Sequence, residues 1–81
     1  MPVIHREHGL EFVLYTRDHP PPHLHVFDAE GECVIEIGDA SRAPEIREVH
    51  NMRNRAVVRI VRSVEEHQEV WLQRWREIHG G

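Results

Sequence analysis

The last third of the chain constrains the fold most. From Asn51 to His79 there is neither glycine nor proline, and Gly80-Gly81 follows as a stop. Val57, Val61, Val64, Gln68, Trp71, Trp75 and Ile78 recur at steps of four and three, with Ile60 and Leu72 widening the stripe. That period predicts one amphipathic helix over 51–79, capped at Asn51, with its apolar face turned inward. Such a helix runs about 43 Å, whereas a compact domain of 81 residues has a diameter of about 30 Å. It must break or overhang its own sheet. An overhang exposes Trp71, Trp75 and Ile78 unless a second subunit covers them, so the seam predicts a homodimer with those three residues at its interface. A bend between Ser63 and Gln68 is the alternative.

Residues 1–38 read as strands. Val3 to Glu7 and Leu10 to Thr16 flank His8-Gly9, a hairpin turn in which glycine supplies positive φ. A third strand spans His23 to Phe27, and Asp28-Ala29-Glu30-Gly31-Glu32 turns the chain into a fourth, Cys33 to Ile37. Alternation puts Leu10, Phe12, Leu14, Leu24, Val26, Cys33, Ile35 and Ile37 on one buried face. Residues 39–50, rich in small polar residues and holding Pro44, read as a connector with at most a short helical turn near Glu45 to Val49. The expected architecture is a single α+β domain over 1–81, an antiparallel sheet of three to four strands packed against one long C-terminal helix.

Chemistry concentrates in His19-Pro20-Pro21-Pro22-His23-Leu24-His25-Val26. Three prolines fix φ and remove three backbone donors, so the run reads as stiff polyproline II followed by a strand. Period two sends His23 and His25 to the face opposite Leu24 and Val26, with Tyr15, Glu11 and Glu36 as neighbours. Imidazoles at this spacing suit a transition metal such as zinc or nickel, and His19, His23 and His25 are the candidate ligands. The same histidines also suit binding or general acid/base work. The plainer alternative is a rigid loop whose histidines bond to carbonyls and carboxylates. A histidine-triad nucleotide hydrolase is disfavoured, because Phe27 stands where a third strand histidine is needed. The sequence holds no phosphate-binding glycine loop, Cys-x-x-Cys pair or helical His-Glu-x-x-His.

All ten basic residues are arginine, there are eight histidines, and the net charge is −4. A negative chain disfavours a strong nonspecific nucleic-acid footprint. Yet Arg55, Arg59 and Arg62 share one stripe at the positive end of the helix, and Glu66, Glu69 and Glu77 continue it toward the negative end; both oppose the macrodipole. Phosphate contacts, hence RNA, would favour the arginines, as would a partner of complementary charge; a solvated face with an Arg62–Glu66 pair is the bland reading. Lone Cys33 excludes an intramolecular disulfide and fits a reducing, cytoplasmic setting. No apolar run approaches the roughly 20 residues needed to cross a bilayer, so no membrane association is expected.

The opening Met-Pro-Val-Ile, the strand ending Tyr15-Thr16, the His-Pro-Pro-Pro-His-x-His-Val string, and a helix carrying Glu65-Glu66-His67 and Trp75 together resemble the small bacterial family called domain of unknown function 4160. The resemblance covers most of the chain and departs after Gly38, where Asp39 to Pro44 replaces a more apolar stretch. It implies a small cognate partner protein in a toxin–antitoxin-like pair and a possible RNA target, and no established activity. The expected function is therefore protein partnership. The competing expectation is a metal- or histidine-assisted enzyme that binds or hydrolyses RNA, centred on His19, His23 and His25.

Overall fold

A computed structural model describes residues 2–80. Five strands, β1 (Val3–Glu7), β2 (Leu10–Leu14), β3 (His23–Phe27), β4 (Glu32–Glu36) and β5 (Glu45–His50), precede α1 (Asn54–Glu66) and α2 (Gln68–His79). The strands form one antiparallel sheet in sequence order, β1 to β5. The chain is α+β, with one more strand than expected and a divided helix.

The first hairpin closes through His8 and Gly9, both at positive φ (49° and 75°), the backbone that matches the right-handed twist of the flanking strands. In-facing residues follow the expected alternation: Phe12, Leu14, Leu24, Val26, Cys33, Ile35 and Ile37 are fully buried, and Leu10 nearly so. Each large aliphatic or aromatic side chain removed from water there contributes about 1.5–3 kcal/mol. The helices cover this face with Ile60, Val64, Trp71 and Trp75. The other face is not covered by a helix.

The segment expected as a connector holds β5, which pairs with β4. Between the partners of Val34 and Ile35 the register shifts, leaving Arg47 as an extra residue. This bulge puts Ile46 opposite Ile35 and Val49 opposite Cys33. Two in-facing residues thus stand three apart, a spacing that imitates a helical turn and hides the strand.

The single helix over 51–79 is corrected at both its start and its middle. Asn51 takes positive φ (54°) and gives its side-chain amide to Glu30 O, and α1 begins three residues later with no side-chain cap. The helix breaks at His67. There the backbone N–H and Nδ1 of His67 both lie 3.0 Å from Ser63 O, while Gln68 donates to Ile37 O and Arg42 O at 2.9 and 3.0 Å. Gln68 thereby ties the start of α2 to the chain between β4 and β5. The break turns Trp71 and Trp75 onto their own sheet, where each is only 6% exposed, and Ile78 packs beside them. The expected dimer interface at Trp71, Trp75 and Ile78 therefore loses its premise, because these residues belong to the core of one chain. At the far end Gly80 closes α2 in the left-handed conformation, as its sequence position predicts.

Candidate metal centre

Strand β3 is central in the sheet and carries two of the three groups of the site. His23 and His25 project to the open face because Leu24 and Val26 are committed to the core. Cross-strand partners place His25 between Val13 and Val34, and His23 opposite Glu36. The loop from Tyr15 to Pro22 folds back over this face. It delivers Asp18, whose Oδ2 lies 3.1 Å from His23 Nε2 and 3.1 Å from His25 Nε2. The three ligand atoms all fall within 4.8 Å of one another.

Each ring is fixed from behind. His23 Nδ1 is 2.9 Å from Pro21 O, and His25 Nδ1 is 3.1 Å from Glu32 Oε2. A carbonyl and an ionised carboxylate only accept, so both Nδ1 atoms carry hydrogen and donate. The two Nε2 atoms are then lone pairs in the neutral rings, and both face a third acceptor, Asp18 Oδ2. Three lone pairs converging at this distance repel unless each ring takes a second proton or one cation sits among them. Two of the three separations, 3.1 Å each from Asp18 Oδ2, are close to the spacing of about 3.3 Å that ligands about 2.0–2.1 Å from a tetrahedral ion keep. Backing a metal-bound imidazole through Nδ1–H to a carboxylate or carbonyl is the usual way to orient it and raise its basicity.

The ring edges are held by packing. Tyr15, itself 38% exposed, meets His25 edge-on with ring centroids 4.9 Å apart, and Trp75 lies 5.7 Å from His23. His23 is buried, whereas the His25 and Asp18 side chains keep 21% and 25% of their surface, so solvent reaches the cluster through those two groups. The surrounding face is acidic. Glu11 is paired with Arg6 at 2.8 Å and Glu36 with Arg47 at 3.6 Å, and Glu32, Glu45 and Glu48 share that side by register. A hydrogen bond from His50 holds the exposed Glu48 carboxyl below its ordinary range, with the field of Arg47 adding to it.

Of the expected ligands, His23 and His25 come together and His19 does not; it is exposed and outside the cluster. The three prolines do not hold it against the strand, and the Pro20–Pro21 bond is cis. Asp18, its neighbour, takes the place. The sequence carried one signal for this: Asp18 is the only carboxylate between Tyr15 and His23. Glu11 and Glu36, expected as neighbours of the histidines, are paired with arginines. The expected basic stripe lies elsewhere, since Arg55, Arg59 and Arg62 are on α1, on the helical side of the sheet, and the expected Arg62–Glu66 pair does not form among the described residues.

Comparison with known proteins found no match among curated proteins or solved structures. The sequence profile of one family matches residues 9–76, a span that includes every strand but β1, the Asp18–His23–His25 cluster and both tryptophans. The chain belongs to the family described as Domain of unknown function (DUF4160).

Proposed function

We propose that this chain is a metalloprotein that binds one divalent transition ion, zinc above others, through Asp18 Oδ2, His23 Nε2 and His25 Nε2. One observation carries the reading: Asp18 Oδ2 stands 3.1 Å from Nε2 of both rings while the Nδ1 hydrogens of those rings are spent on Pro21 O and Glu32. A bound ion at a site with three protein ligands supplies Lewis acidity and lowers the pKa of a coordinated water toward neutrality, the chemistry of hydrolysis. The protein's part is to fix both tautomers and to hold Asp18 between the rings, with His25 and Asp18 partly open to solvent. The acid-lined face opposes approach by a polyanion. Hydrolysis at this centre therefore suits a neutral or cationic substrate better than RNA.

Calorimetric titration with zinc tests this. The expected result is one ion per chain with a dissociation constant of about micromolar or tighter, lost in His23→Ala with His25→Ala, lost in Asp18→Ala, and unchanged in His19→Ala. Glu32→Gln should weaken binding by about 10–100-fold. No heat of binding, or loss on replacing His19 alone, overturns the reading.

A small partner protein, of the kind a toxin–antitoxin-like pair requires, is a second reading that one feature favours. Edge strand β1 and the junction of α1 with α2 enclose a cavity of about 210 Å³ over Trp71, and Ile4 and Val70 on its rim are 46% and 54% exposed.

A further inference from the structure

At the other end of β3, about 13 Å along the strand from His23, three connections meet. They are the His8–Gly9 turn, the turn from Asp28 through Glu30, and the chain from Asn51 into α1, and they enclose a crevice of about 360 Å³. Arg53, Arg55 and Arg59 line it together with His8. Among the described residues none of these arginines has a carboxylate within 4.0 Å, a state they share with every arginine but Arg6 and Arg47; what sets them apart is that three of them line one crevice. Their grouping costs free energy. Three cations repel one another, and at the positive end of α1, whose first turn holds no acid, the macrodipole opposes Arg53 and Arg55 as well.

We infer that this crevice binds a phosphate group through the guanidinium groups of Arg53, Arg55 and Arg59. Two acids also line it, Asp28 and Glu30. Asp28 is turned into its own loop, where the amides of Glu30 and Gly31 donate to Oδ1 at 2.8 and 2.7 Å and hold its carboxyl below the ordinary range. The net positive charge of the crevice is consequently small. Binding has to come from paired, directional N–H···O contacts, which guanidinium offers to phosphate and cannot offer to a halide. Arg62, one step further along α1, does not reach the crevice. This site is separate from the metal centre and stands or falls without it.

The test is chemical-shift mapping of the ¹⁵N-labelled full chain with inorganic phosphate, at ionic strength held constant with chloride. Saturable shifts are expected at residues 8–9, 28–31 and 51–59, with affinity falling about tenfold for each of Arg55→Gln and Arg59→Gln and unchanged in Arg62→Gln. The amide spectra themselves report that the exposed variants remain folded. Two further arms separate the source of the phosphate. Tighter binding by an oligouridylate of about ten nucleotides, with a salt slope that shrinks by about one per arginine removed, assigns the site to RNA phosphodiesters. Preference for uridine 5′-monophosphate over the oligomer assigns it to small phosphomonoesters. No saturation with phosphate, identical shifts with chloride alone, or indifference to the Arg55 and Arg59 changes overturns the proposal.

Discussion

Truncating Trp71 separates the two ways of burying the apolar seam. In this fold Trp71 packs inside one chain: its ring stacks on Phe12 with centroids 6.3 Å apart and an interplanar angle of 25°, and His5 meets its edge at 6.4 Å. Replacing a buried tryptophan by alanine removes its transfer free energy and leaves a cavity, together about 3–5 kcal/mol. A domain of 81 residues has about 4–12 kcal/mol in all. With a urea slope of about 1 kcal/mol/M for so small a chain, Trp71→Ala should lower the unfolding midpoint by about 3–5 M or leave the protein unfolded. Trp71→Phe keeps an aromatic ring against Phe12 and serves as the milder variant, folded and intermediate in midpoint. The assay is urea unfolding followed by far-ultraviolet circular dichroism, repeated over a hundredfold range of protein concentration (about 1–100 μM, wide enough to move a dimer's midpoint by mass action), with sedimentation equilibrium alongside. The loss should not depend on concentration. If Trp71→Ala instead left the midpoint unmoved at low concentration and only halved the sedimenting mass, the tryptophan would lie between chains, and burial by a break at His67 would be refuted.

Two further expectations follow from named contacts. Gly9 and Gly38 share φ of 75°, but a Cβ at Gly9 meets open space whereas one at Gly38 collides with the carbonyl oxygen of Arg42; Gly9→Ala should cost about 1–2 kcal/mol and Gly38→Ala distinctly more, and equal shifts in thermal midpoint would contradict the packing described. Burial pushes the Cys33 thiol from 9.0 up to about 11, so between those values the folded chain keeps a proton that the unfolded chain has lost and stability falls as pH rises, by at most about 3 kcal/mol; Cys33→Ala should flatten that alkaline loss in urea melts, and parallel curves for the two proteins would disprove the cause.

The core face was legible because one rule governed it. Leu10, Phe12, Leu14, Leu24, Val26, Cys33, Ile35 and Ile37 alternate without interruption along three strands, and all eight lie on the buried side. Where a second rule intervened, the pattern misled. The bulge at Arg47 replaced period two by a step of three between Ile46 and Val49, so β5 read as a helical turn. The break at His67 has no glycine or proline to mark it; it rests on Gln68 reaching Ile37 O and Arg42 O, contacts at separations of 31 and 26 residues that no local period contains. The centre was half legible for a related reason. Strand alternation fixes the direction of His23 and His25, whereas Asp18 and His19 sit in a loop with no period, and there residue type alone favoured the histidine over the aspartate that makes the contacts.

Because every strand pairs only with its neighbours in sequence, the sheet can assemble without any long crossover. Folding rates rise as contacts become more local, and an antiparallel meander capped by two helices belongs near the millisecond range. The centre shares this property. Asp18 and His25 are seven residues apart, so closing the loop between them costs little chain entropy. Asp18 and both imidazoles can therefore come together as soon as β3 is flanked by β2 and β4, with Trp75 closing against His23 when α2 docks. An ion available during synthesis would meet its ligands early and bias β3 toward the register that keeps Leu24 and Val26 inside. Slipping that strand by one residue would bury two imidazoles and expose the core, so the three side chains proposed to hold a cation would also proofread the register of the sheet.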